Sequence, residues 1–193
     1  MRLVFDIETN GLLRTLTKIH CIVTIDVDTK QVRRFRPNQI EEALRHLMQA
    51  DELIAHNGIN FDKPAIEKLY PWFKFKGVFH DTLVYTRLIW SNIAVSDAGR
   101  VVAFQKSNGT TGLPAKLTGS HSLKAWGYRL KVHKGDFNES TDWQSFSEEM
   151  LDYCEQDVVV NLALWERVES AVLGGATTQT AIDLEHKAAT VLA

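Results

Sequence analysis

The chain has 193 residues, of which 45% are hydrophobic and 24% charged, with a formal net charge of −2. This is ordinary globular composition, enough for one compact domain with a real core, and it excludes a disordered or fibrous chain. No apolar run reaches the roughly 20 residues of a membrane-spanning helix, and the acidic pair Asp6 and Glu8 arrives before any long apolar stretch, which argues against a signal peptide.

Arg2–Glu8 opens the chain as a buried strand, with Leu3-Val4-Phe5 as its apolar start. His20–Asp28 alternates, with Val23, Ile25 and Val27 on one face and Thr24, Asp26 and Asp28 on the other. Gln31–Arg36 reads as its hairpin partner. Asn38 then caps a helix to about Gln49, Glu52–His56 is a short strand, and Asp62–Leu69 is helical with Pro64 in its first turn. Val78–His80 is a brief strand, after which Asp81 or Thr82 caps a helix through Trp90. Ser91–Gly119 holds four Gly and one Pro and has no strong period, so it reads as a long exposed loop with a small hairpin at Val101–Phe104. Helices return at Ser122–Leu130 and from Ser147 to about Leu173, where Gly174-Gly175 stops the chain's longest helix. Ala181–Ala193 is a further amphipathic helix. Strands followed by alternating helices and strands specify an α/β domain with a mixed central β-sheet and flanking α-helices.

Cys21 and Cys154 have no metal-finger spacing, which fits a reduced, cytoplasmic protein. Charge is unevenly spread. Thr86–Lys134 carries eight basic residues against Asp97 alone, and Gly135–Ser170 carries ten acidic residues against Arg167 alone. A metal-dependent site for a polyanion would look like this, and so would segregated solvated surface. Trp126, Tyr128, Trp143 and Trp165 read as core or interface, Cys154 as a small buried hydrophobe, and His121 and His133 as solvated surface near the basic segment, within reach of phosphate.

The chemistry-bearing residues fall in three places. Asp6 and Glu8 are two apart on a strand, hence on one face and about 7 Å apart along the backbone. Two carboxylates so close repel unless a cation lies between them, and an all-oxygen site suits magnesium or manganese. Asp62 follows Asn57 and Phe61 where a strand gives way to a helix. Tyr153 and Asp157 are four apart on a helix and therefore neighbours on one face. Each feature alone is common. The pair His80-Asp81, with His56 upstream, also suggests an HD-type metal phosphohydrolase, but those are all-helical and the early strands oppose it.

In this order, Asp6-Ile7-Glu8-Thr9, Asn57 with Phe61-Asp62, and Tyr153 with Asp157 resemble the three exonuclease motifs of the DEDDy branch of 3′–5′ exonucleases. His56-Asn57-Gly58, Asp81-Thr82-Leu83, Gly119–Leu130 and Asp157-Val158-Val159-Val160 are similar to the proofreading domain of podophage family A replicative DNA polymerases. The resemblance implies a ribonuclease-H-like fold over residues 1–175, with 176–193 a linker and the start of a helix leading into a polymerase domain, in cis or in trans. It implies hydrolysis of single-stranded or frayed DNA 3′ ends to nucleoside 5′-monophosphates in the cytoplasm of a bacterial host, using two Mg2+ or Mn2+ ions about 4 Å apart. Asp6 would bridge both ions, Glu8 and Asp157 would complete one site, Asp62 would serve the other, and Tyr153 would orient the attacking water. Thr9, Asn10, Leu12 or Leu13, Asn57 and Phe61 would contact the terminal nucleotides. An RNA-directed enzyme of the ribonuclease D kind and a non-catalytic scaffold are the alternative expectations.

Overall fold

The computed structural model describes residues 1–107, 109, 111–132 and 143–192. The readings of His133, and of Lys134, Asp136, Glu139 and Asp142 within the two charged segments, lie outside the described residues.

Five strands form one sheet: β1 (Arg2–Thr9), β2 (Ile19–Asp26), β3 (Val32–Phe35), β4 (Glu52–Ala55) and β5 (Val78–Asp81), in the spatial order β3-β2-β1-β4-β5. β2 runs antiparallel to both β1 and β3, whereas β4 runs parallel to both β1 and β5. The sheet is therefore mixed, as the sequence predicts, and an all-helical phosphohydrolase is excluded. The face alternation read for β2 holds, with Val23, Ile25 and Val27 in one core and Ile22 in the other, and Thr24 is as buried as Val23. Both faces of the sheet are covered, so polar residues here must be buried too.

Helices α1 (Ile40–Leu47), α2 (Asp62–Leu69), α3 (Thr82–Ile89), α4 (Ile93–Lys106), α5 (Leu123–Leu130), α6 (Glu148–Leu173) and α7 (Gln179–Leu192) complete the described fold. Leu3, Phe5, Ile7, Ile22 and Leu53 face one core with Leu44 and Leu47 of α1 and Ile66 of α2. Val4, Val23 and Ile54 face the other, with Leu151, Cys154, Val158 and Leu164 of α6. The two-residue period of β1 thus puts Asp6 and Glu8 on the α6 side, in line with Val4. Ser147 caps α6 by accepting the Met150 N–H at 3.1 Å, and Gly175 at φ +78° ends it as predicted. Among the described residues no helix is long and apolar enough to cross a membrane.

The predicted loop 91–119, with its hairpin at Val101–Phe104, is corrected: Ile93–Lys106 within it is helix α4. Its only buried residues are Ile93 and Asp97, so it has no apolar stripe for a period to reveal. A buried ion pair fixes it instead. Arg129 of α5 donates from Nε to Asp97 Oδ1 at 3.0 Å and from a terminal nitrogen to Oδ2 at 2.8 Å. The Gly119 amide donates to Oδ2 at 3.0 Å, and the Arg129 guanidinium stacks on Trp126. Burial pushes the Asp97 carboxyl up, but Arg129 and the Gly119 amide outweigh it and hold it below the usual range.

The acidity of α6 also has a structural outlet. Arg34 reaches Asp152 and Glu155, Arg36 reaches Glu148, and Arg2 reaches Glu169. These partners come from β1, from β3 and from Arg36 just after it. Exposed pairs of this kind contribute little each, about 0–1 kcal/mol.

Candidate functional site

β1 outruns its parallel neighbour. Its pairing with β4 ends at Val4↔Ile54, while its pairing with β2 continues to Glu8↔Cys21 and then shifts register before Thr9. Asp6 and Glu8 therefore project past the end of β4. The chain leaving β4 turns through residues 56–61 and enters α2 at Asp62, which brings that carboxyl to the same end of the sheet. α6 lies across β1 and β2 and supplies Cys154 and Asp157 from above.

The electrostatics record this convergence. Burial pushes the Asp6 carboxyl well up, and Asp62, Glu8 and Asp157 each add to the push. Burial likewise pushes Glu8 up to about 9, Asp62 up to about 7 and Asp157 up to about 6. The ligand atoms of Asp6, Glu8 and Cys154 lie within 4.8 Å of one another. Asp62 is only 3% exposed, and its Oδ1 has no hydrogen-bond partner. Asp6 and Asp157 keep partial access to solvent. Four mutually repelling carboxylates with an orphaned buried oxygen are the donor set that a hard divalent cation satisfies.

Tyr153 is held beside Asp157. Burial pushes its phenol far up, followed by the Asp157 charge, and its hydroxyl is hydrogen-bonded to the Asp157 carboxylate. It is therefore a donor at neutral pH and no base. Sequence reasoning missed two neighbours. The Cys154 thiol donates to the Asp6 backbone carbonyl at 3.4 Å and to Asp6 Oδ2 at 3.6 Å. Trp143 sets its ring edge-on against Tyr153 at 6.2 Å, and its carbonyl meets His20 Nε2 at 3.0 Å. Only the one-face spacing of Tyr153, Cys154 and Asp157 on α6 hinted at the first, and nothing in the sequence pointed to the second.

The residues expected to meet substrate are more scattered. Thr9 is buried and donates to the Gly11 carbonyl at 2.8 Å. The Asn10 carboxamide is taken up inside its own loop, donating to Thr17 Oγ1 at 2.8 Å and accepting the Thr17 and Lys18 amides. Leu12 is 78% exposed, whereas Leu13 is partly buried against the α1–α2 core. Asn57 adopts φ +63° in the turn before α2, and Phe61 is half-buried against the same core.

The RNase_H_2 model of the RNase_H superfamily matches residues 3–169. The chain belongs to the RNase_H superfamily. Over 99% of its length it is 34% identical to the DNA-directed DNA polymerase of Escherichia phage T7 and 35% identical to that of Enterobacteria phage T3. It spans about a third (32%) of the length of each of these curated relatives. Solved structures share the superfamily fold at low identity. Brucella melitensis NrnC matches with a TM-score of 0.67 and 17% identity over 99% of this chain and 84% of that one. Escherichia coli RNase D, an exoribonuclease involved in structured RNA processing, matches with a TM-score of 0.55 and 14% identity over 98% of this chain and 45% of that one. The chain thus has a ribonuclease-H-like fold of the nuclease type.

The raised carboxyls make a prediction for stability. Their folded-state values lie above the usual carboxylate range near 4, so the metal-free native state holds protons that the unfolded chain has released. That contribution is complete below about pH 4 and is lost as pH rises towards the Glu8 value of about 9. The depressed carboxyls of Asp26, Asp28 and Glu148 act only below this window. The lowered imidazoles of His46, His56, His80 and His121 pull the other way up to about pH 6.5. In chelator, the melting temperature therefore falls as pH rises from about 7 towards 9, and added Mg2+ raises it most at the alkaline end, where the cation displaces fewest protons. A melting curve indifferent to both variables would contradict this.

Proposed function

We propose that this chain is a metal-dependent 3′–5′ exonuclease. It removes nucleoside 5′-monophosphates from single-stranded or frayed DNA ends and serves proofreading beside a polymerase domain, in cis or in trans, in the cytoplasm of a phage-infected bacterium. The observation that supports the reading is the buried pair Asp6 and Glu8 on β1, whose carboxyls Asp62 of α2 and Asp157 of α6 also push up. The likeness to two phage DNA polymerases over nearly the whole chain favours DNA as substrate.

Asp6, Glu8, Asp62 and Asp157 would hold two Mg2+ or Mn2+ ions. When bound, such a pair supplies stabilisation of the charge that builds on the attacking and leaving oxygens, and makes hydroxide available at neutral pH. The protein's own part is placement. Cys154 and the β1 backbone fix the Asp6 carboxylate. Tyr153, kept protonated, donates to Asp157 and would orient the attacking water through its oxygen. Thr9, Asn10, Leu12, Asn57 and Phe61 would meet the terminal nucleotides, with Phe61 stacking on a base without regard to sequence.

A second reading, RNA as substrate, is favoured by the fold shared with RNase D and NrnC. A non-catalytic scaffold is disfavoured because all four acids and Tyr153 are present. The test is digestion of 5′-labelled DNA and RNA oligonucleotides of one sequence with Mg2+ and with chelator. The reading expects a ladder of 3′ shortening on DNA that chelator abolishes. Faster shortening of RNA would transfer the assignment to the second reading, and cleavage that survives chelation would end both.

A further inference from the structure

Asp81, at the end of β5, is fully buried beside Ala55 of β4 in parallel register. Its carboxylate accepts three backbone N–H groups: Leu83 at 2.9 Å and Asn57 at 2.8 Å on Oδ1, and Ile59 at 3.0 Å on Oδ2. A helix cap needs only the first of these. The other two belong to the turn that delivers Asp62.

That turn is demanding. Asn57 adopts φ +63°, left-handed backbone that asparagine takes up more readily than most non-glycine residues, and a Cβ at Gly58 would sit 2.5 Å from that of Ala55. From the turn, Phe61 donates to the Asn57 carbonyl at 3.1 Å and Lys63 to the Gly58 carbonyl at 3.0 Å, which carries its geometry into the first turn of α2. On the far side the Asp81 amide donates to His186 Nε2 of α7 at 3.0 Å, so Asp81 is clamped from both directions.

We infer that Asp81 is a positioning residue for the proposed metal site, acting on Asp62 through the two amide bonds that hold the 56–61 turn. The role requires a group with acceptors on both oxygens. An amide in its place would turn an NH2 towards at least one of the three backbone N–H groups. The inference rests on the nuclease reading, since Asp62 has a partner to serve only if the site holds cations.

Two variants separate positioning from capping. Asp81→Asn keeps the size but loses one acceptor. Asp81→Ser keeps the α3 cap but is too short to reach Asn57 and Ile59. Mn2+ binding by calorimetry and Mg2+-dependent digestion are read beside thermal melting. Both variants are expected to bind Mn2+ and turn over DNA about 10–100-fold more weakly, the loss seen when a residue supporting a metal ligand is removed. A wild-type Mn2+ isotherm in Asp81→Ser, with only a lower melting point, would make Asp81 a plain structural cap and overturn the inference alone. A wild-type protein that neither binds Mn2+ nor digests DNA would overturn the nuclease reading and the inference with it. Hydrogen exchange in the unaltered protein is independent of how the variants fold. The Asn57 and Ile59 amides are expected to be strongly protected, and exchange at open-chain rates would overturn the inference as well.

Discussion

Asp6→Ala is expected to lower the rate of DNA hydrolysis by about 10³-fold or more. The reasoning is electrostatic. Asp6 is the carboxylate on which Asp62, Glu8 and Asp157 all press, so it occupies the centre of the group. Losing a central cation ligand forfeits several kcal/mol of charge stabilisation at the reacting phosphate, and each 1.36 kcal/mol is about tenfold in rate. The same change removes a buried carboxyl that must either carry an unfavourable charge or hold a proton. In chelator at neutral pH the variant, or the closer mimic Asp6→Asn, therefore melts no lower than the unaltered protein. Lost activity with retained or raised melting temperature separates a ligand from a residue that merely supports the fold. Rates within about tenfold of the unaltered protein would remove Asp6 from the centre of the site.

Arg129→Ala is expected to cost the most stability of any single exchange outside the apolar core. The Asp97 and Arg129 side chains are 0% and 2% exposed. Removing the guanidinium leaves the buried carboxylate with only the Gly119 amide and the half-exposed Arg100 at 3.7 Å, and breaking such pairs costs up to about 3–5 kcal/mol. For a chain of this size that is a fall of roughly 6–20 °C in melting temperature. Because α4 buries little else than Ile93 and Asp97, the damage begins there, and limited proteolysis is expected to cut within 93–106 first. Replacing both partners by leucine recovers much of the loss, since two apolar groups leave no charge stranded. A single Arg129→Ala variant that melts normally would mean that α4 is held by contacts other than this pair.

Much of the site is legible in the sequence because it depends on local periods. Asp6 and Glu8 share a face by the strand's repeat of two, and Tyr153 and Asp157 by the helix's repeat of 3.6. Asp62 is recognisable as the first residue of a helix after a short strand. What stays hidden depends on how separate elements meet. The Cys154 bond to Asp6 exists only because α6 crosses β1 at that height. The cap made by Asp81 is readable from Thr82-Leu83, but its two bonds to the 56–61 turn follow from the parallel pairing Ala55↔Asp81, which no local pattern announces. Helix α4 is hidden for the opposite reason. It is secured by charge and not by an apolar stripe, so a chain with four glycines and no period reads as loop.

The central claim is that four acids from three elements make a seat for divalent cations, and titration of the chelator-treated protein with Mn2+ in a calorimeter tests it most directly. The account predicts saturable binding of two ions, with one of them weakened or lost in Asp157→Asn. No heat of binding, or an isotherm untouched by that exchange, would contradict it.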